Sequence, residues 1–166
     1  NWGSSGSSYS AKSRCIGFGA FDRSGTFLGA ATNIDTPSGT YFETNMNTGI
    51  GLQGGEGKFV IGFKDGQNNY LWAKVGTVGS DLKSITFGSR IQVNGTNSWG
   101  AGDIVHIPGT NKVAFLFADN SSSQEGSCVI GEVSGTTITM GSKTTFRSGN
   151  TVNNIRGVWD PDTNQL

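Results

Sequence analysis

What most limits the folds open to this chain is that its turn signals recur at a fixed period. Gly19, Gly76 and Gly131 stand 57 (76 − 19) and 55 (131 − 76) residues apart, and Gly29, Gly88 and Gly141 close the run that follows each of them. Between these markers lie GAFDRSGTFLG, GTVGSDLKSITFG and GEVSGTTITMG, three versions of one hairpin. The middle version carries two extra residues in its loop, where insertions are easily absorbed. The other half of the unit recurs too: GKFVIGFKD (57–65) matches NKVAFLFAD (111–119), and NQL (164–166) opens a third copy. A repeat of this length is one supersecondary unit that buries its apolar faces against its neighbours.

Each unit reads as four strands. In the second complete copy they cover 103–107, 112–118, 128–133 and 136–140, with a polar loop over 121–126. The second strand, Val113-Ala114-Phe115-Leu116-Phe117-Ala118, is apolar throughout, as is Phe59-Val60-Ile61-Gly62-Phe63. Such runs belong to strands covered on both faces. The flanking strands alternate more, which suits positions nearer a sheet edge. The 27 glycines with abundant Ser, Thr and Asn supply tight turns and β-branched strand residues, and no amphipathic helix of three turns is visible. The fold class expected is all-β. The division expected is a partial repeat over 1–49, repeats over 50–102 and 103–154, and the start of another over 155–166, all within one β-repeat domain. Both ends fall in mid-unit, so the chain is expected to continue beyond them or to share its units with other copies of itself.

Composition narrows the function classes. The 12 basic and 12 acidic residues balance and make up 14% of the chain. No basic stripe that would suit nucleic acid is present, and no apolar run approaches the roughly 20 residues of a membrane-spanning helix. Cys15 and Cys128 are too few for a disulfide framework and read as buried thiols.

No catalytic set emerges, and the chain reads as a non-enzyme. The single histidine, His106, has no nucleophile or orienting partner signalled nearby. Asp160-x-Asp162-x-Asn164 opens like a calcium loop but has Gln165 where that loop needs glycine; a tight Pro-Asp turn with Asn164 in the left-handed region explains the same residues. No metal or cofactor is expected. Asp22 to Phe27 approaches the Asp-box of sialidase-type propellers, but its Asp-to-Gly spacing is one residue too long and Ala20 replaces the leading Ser, so it reads as a hairpin turn. Asp65 and Asp119 end equivalent strands 54 residues apart (119 − 65), and their obedience to the repeat points to structural carboxylates accepting turn amides. Of the four tryptophans, Trp2 and Trp99 sit in Gly/Ser/Asn-rich stretches expected to be loops. With Trp72 they are the candidate ligand-binding residues, as sugar-stacking or partner-anchoring groups; core packing or inter-subunit burial is the reading favoured over this.

The phrases VSGTTITMGS (133–142), FRSGNT (146–151) and WDPDTN (159–164) resemble a consensus repeated many times in phage tail-fibre, virion-associated and bacterial adhesin-like proteins. The resemblance is close over 128–166, fair over 50–120 and weak over 1–49. It implies a propeller-like array of four-stranded antiparallel blades, a virion or extracellular location, and a structural or adhesive role in a phage tail fibre, spike or surface assembly. Other copies of the chain, other virion or surface proteins, and host-surface glycans are the implied partners. Three units cannot close a propeller alone. A β-trefoil or prism of three repeats is the alternative fold, and a secreted carbohydrate-binding (lectin) module or carbohydrate-active enzyme domain is the alternative function.

Overall fold

The computed structural model describes residues 42–43, 48–50 and 57–166, apart from 66–68, 81–83, 97, 122–123, 150–151 and 153–154. At 42–43, 48–50, 65 and 99–101 only the backbone is described. The described residues form two antiparallel sheets with no helix. In the first, β1 (Phe42–Glu43) and β2 (Thr48–Ile50) both pair with β3 (Lys58–Asp65), which pairs with β4 (Leu71–Val78). β5 (Ile85–Phe87) and β6 (Ile91–Asn94) lie along the other edge of β4. The second sheet is a meander of β7 (Ser98–Ile107), β8 (Lys112–Asp119), β9 (Glu125–Ser134) and β10 (Thr137–Arg147), in the order β10-β9-β8-β7.

The two sheets are copies of one pattern, strand by strand and in register. β1 and β2 together correspond to β7, because Phe42↔Asp65 and Thr48↔Ile61 become Ser98↔Asp119 and Ile104↔Phe115. β3 maps onto β8 at 54 residues (112 − 58) and β4 onto β9 at 55 (131 − 76). β5 and β6 map onto β10 at 53 (144 − 91), since Ile91↔Ala73 becomes Thr144↔Cys128. Even the irregularity is repeated: the shift between Asn94↔Leu71 and Gln92↔Trp72 recurs between Arg147↔Gly126 and Thr145↔Ser127. The extra residue is Val93 in one copy and Phe146 in the other, the mark of a β-bulge kept at one place.

Three strands run well beyond their expected bounds. β9 covers Glu125–Ser134 where 128–133 is expected, and so takes up the end of the polar loop expected over 121–126. β7 begins at Ser98, so Trp99 stands in a strand and not in a loop. Its first half passes Gly100 and Gly102 with two register shifts, and those glycines disguise it as a turn. β10 runs through Gly141 to Arg147 instead of stopping at the glycine, which takes up a shift between Met140 and Lys143. In the first sheet the equivalent Gly88 does end its strand. A Cβ there would lie 2.0 Å from the Thr136 carbonyl oxygen, in the tip of the second sheet's hairpin, whereas at Gly141 the nearest atom is the Ile130 oxygen at 3.1 Å.

Turn chemistry follows the sequence. Pro108 and Gly109 (φ +78°) occupy the centre of a turn closed by the Thr110 N–H to the Ile107 carbonyl at 3.2 Å, the type II preference. Gly135 (φ +59°) opens the two-residue loop between β9 and β10, a conformation glycine adopts without steric cost.

The face that the first sheet turns to the second is called its front, the face of the second sheet that meets it is called a back face, and the equivalent register positions carry both names to the other face of each sheet. The front face of the first sheet (Val60, Leu71, Ala73, Val75, Val93) packs on the back face of the second (Ile104, Val113, Phe115, Phe117, Val129, Val133, Ile138). The front face of the second sheet (Leu116, Ala118, with Val105 and Cys128) receives Val152 and Ile155. On the back face of the first sheet, Phe59, Trp72 and Phe87 pack around the buried Ile61 and Phe63. β8 is therefore buried from Val113 to Asp119, as its unbroken apolar run requires.

Candidate functional site

The junction between one unit and the next is the most constructed feature of the molecule. Gly62, on the front of the first sheet, faces Ile104 of the second; a Cβ on Gly62 would lie 2.9 Å from Ile104 Cδ1. One unit later the sizes are exchanged. Leu116, equivalent to Gly62, meets Gly157, equivalent to Ile104, and a Cβ on Gly157 would come within 2.3 Å of Leu116 Cδ1. Small faces large at both junctions, with the order reversed. Polar groups hold the same junction: the Asp103 carboxylate accepts the Ile104 N–H (2.9 Å) and the Gly157 N–H (3.1 Å). Arg156 Nη1 donates to the Gly102 carbonyl at 2.6 Å.

At one end of the sheet-to-sheet contact lies a charged latch. Asp119, 0% exposed, accepts from the Ser121 N–H and Thr96 Oγ1, both at 2.9 Å, and forms an ion pair with Lys143. Thr96 Oγ1 also lies 3.1 Å from Asn94 Oδ1, and Asn94 Nδ2 donates to Ser98 Oγ (3.1 Å). The latch thus ties β6, the connector to the second sheet, β7, β8 and β10 together. Burial alone would raise the Asp119 pKa, but Lys143, Ser121 and Thr96 outweigh it and hold the carboxyl at about 2. Register places Arg90 where Lys143 stands and Trp72 where Ser127 stands. There the basic residue lies over the ring, with the Arg90 guanidinium 4.4 Å from the Trp72 centroid, a cation–π contact.

Of the candidate ligand-binding tryptophans, Trp2 lies outside the described residues. Trp99 is placed by its backbone in β7. Trp72 is half-buried in β4, on the back of the first sheet with Ile61 and Phe63. Register sets Trp72 and Trp99 on different sheets. Cys15 and the hairpins and motifs of 19–29, including Asp22 to Phe27, also lie outside the described residues. Cys128 is a half-buried free thiol whose pKa burial pushes up. His106 spans its own turn, Nε2 to the Thr110 carbonyl at 3.0 Å. Asp160 spends both oxygens on its turn, accepting the Asp162 N–H (2.9 Å) and Thr163 Oγ1 (2.7 Å), and Asn164 is left-handed at φ +57°. No group of three or more His, Cys, Asp or Glu side chains suited to a metal occurs among the described residues.

Asp103, Lys143, Asn94, Thr96 and Ser98 are the working parts that sequence reasoning missed. Lys143 had a signal, because Arg90 precedes it by one period (143 − 90 = 53). Comparison of the chain with protein-family models, curated proteins and solved structures returns no match.

Proposed function

We propose that this protein is a non-enzymatic scaffold: a propeller-like array of four-stranded blades that forms part of a virion appendage, such as a phage tail fibre or spike, or of an extracellular surface assembly. The observation that carries this is the head-to-tail packing of two sheets with identical registers, front face to back face. That each sheet is drawn from one continuous stretch of chain, 42–94 and 98–147, favours stacked blades over the trefoil or prism. The placement on an appendage comes from the resemblance of 133–142, 146–151 and 159–164. The polar groups at the junction also fit a scaffold: Asp103 spends its carboxylate on the Ile104 and Gly157 amides and Asp119 pairs with Lys143 of β10. Host-surface glycan is the ligand proposed for such an appendage, with Trp2, Trp99 and Trp72 as its candidate anchors.

Immunogold labelling with antibody against the intact protein tests the location. Label on particle appendages or the cell surface is expected, and label confined to the cell interior would overturn it. Incubation with surface polysaccharides tests the class: glycan bound with its chain length unchanged is the expected result for an adhesin. Depolymerisation would establish the carbohydrate-active enzyme instead.

A further inference from the structure

The latch contains one covalently labile point. Asn94 ends β6 and Gly95 follows it, the one Asn-Gly pair in the chain. Glycine in that place leaves its backbone nitrogen open to the side-chain amide carbon of the asparagine, because no Cβ screens it. The fold does not demand this glycine: its φ lies outside the left-handed region, and a Cβ there would meet nothing nearer than Gln92 Nε2 at 3.5 Å. Asn94, 9% exposed, is central to the latch. Its Nδ2 donates to Ser98 Oγ (3.1 Å) and to the Thr96 carbonyl (3.4 Å). Its Oδ1 lies 3.1 Å from Thr96 Oγ1, whose other neighbour is Asp119 Oδ1 at 2.9 Å. These contacts suit an amide. A carboxylate has no proton to give the Thr96 carbonyl, and it competes with Asp119 for the single Thr96 hydroxyl proton. It also sets a second negative charge close to Asp119, whose cation is Lys143, and like charges that near disfavour each other.

We infer that Asn94 is a modification site, at which loss of ammonia through attack by the Gly95 nitrogen releases the latch. The Gly95 N–H gives its proton to hydroxide, and the nitrogen bonds to Asn94 Cγ. The Cγ–Nδ2 bond breaks, and ammonia departs with a proton taken from water. Water then opens the resulting five-membered imide at either carbonyl, with nothing oxidised or reduced. One opening leaves aspartate. The other leaves isoaspartate, whose main chain runs through the former side chain and is one carbon longer. That added carbon lengthens the link between β6 and β7 and moves Thr96 and Ser98 off their partners. The folded contacts slow the reaction, since Cγ has to leave Ser98 and Thr96 to meet the Gly95 nitrogen. The products lack those contacts, so the change runs one way and loosens that end of the sheet-to-sheet contact.

The test is ageing of the 166-residue protein at mildly alkaline pH. The tryptic peptide 91–112 is followed by mass spectrometry that separates aspartate from isoaspartate, with urea midpoints taken alongside. The expected result is conversion at Asn94 in the folded protein, several-fold slower than in urea, with the midpoint falling in step. Lys143→Met, which weakens the latch, should speed conversion several-fold. Gly95→Ala should fold with the parent's midpoint, as the space around Gly95 allows, and should lose both the conversion and the fall. Asn94→Asp installs one product directly and should unfold at lower urea from the start. Asn94 unchanged in the folded protein while the urea-unfolded chain converts would overturn the proposal. So would a midpoint that stays fixed as Asn94 converts, or one that falls equally in Gly95→Ala.

Discussion

The exchanged sizes at the two junctions make a quantitative prediction. Leu116 is buried, and its side chain fills the space that Gly157 leaves. Replacing Leu116 with Gly removes the whole side chain and loosens a central strand, at a cost of about 3–5 kcal/mol. Replacing Gly157 with Ile drives a Cβ to 2.3 Å from Leu116 Cδ1 and 2.9 Å from Val105 Cγ2, an overpacking cost of about 1–3 kcal/mol or more. Were the sites independent, the double variant would lose the sum, roughly 4–8 kcal/mol. The first junction, however, holds Gly62 against Ile104 in the same relative position. Leu116→Gly with Gly157→Ile rebuilds that arrangement, and its loss should be only about 1–2 kcal/mol, a coupling of about −2 kcal/mol or larger in size. Urea unfolding followed by far-UV circular dichroism measures the four corners of the cycle. Tryptophan fluorescence beside it includes the half-buried Trp159, two residues from Gly157, and reports local release of the last segment. A coupling within about 0.5 kcal/mol of zero would refute the equivalence of the junctions.

Other outcomes follow from the latch and the turns. Asp119 has its pKa lowered to about 2 from the ordinary 3.8. Its contribution is therefore present above pH 3.8 and lost as pH falls through 2, about 2 kcal/mol at most. Urea midpoints between pH 2 and 6 should show this fall, and Asp119→Asn should flatten it. Lys143→Met leaves the buried carboxylate without its cation; with Lys143 37% exposed, water softens the loss to about 1–3 kcal/mol, and the acid transition of the variant should move to higher pH. Gly135→Val should lower the unfolding free energy by about 1–2 kcal/mol, because φ is +59° there and the surrounding space is open. The same denaturation curves check it.

The parts of the fold visible in the sequence are those where burial and backbone geometry leave a local mark. β8 shows as six apolar residues in a row because both of its faces are covered, and the β9–β10 hairpin shows through Ser134-Gly135 because only glycine takes that turn freely. The obscured parts are those set by distant contacts. The first half of β7 contains Gly100 and Gly102, and a Cβ at Gly102 would meet the Leu116 carbonyl oxygen at 2.5 Å, so close approach, not turning, demands the glycine. The second half of β10 is exposed from Gly141 to Arg147 and polar apart from Phe146, with no periodicity to betray a strand. The latch was half legible: the recurrence of Asp65 and Asp119 marked the acid. Its cation lies 24 residues away and two strands across.

The latch also accounts for why a repeat built on apolar faces keeps a buried charge. Apolar faces forbid a slip of one residue, which would turn every side chain to the other face, but a shift of two residues returns the same face to the core. The Asp119–Lys143 pair admits no such shift. Sliding β8 against β9 and β10 by two residues would carry the carboxylate away from its cation and from Thr96, leaving a buried charge unpaired at a cost of several kcal/mol. The repeated bulge at Val93 and Phe146 pins the outer strand in the same way, because its extra residue fits only one place on the partner strand. Position 72/127 shows how much the pattern tolerates. With serine there, the basic residue of the fourth strand pairs with the acid; with tryptophan there, the guanidinium lies on the ring. A sugar stacking on that face of Trp72 would have to displace Arg90, so Arg90→Ala should strengthen any glycan binding that depends on Trp72, and weaker binding in that variant would show the guanidinium to be part of the binding surface.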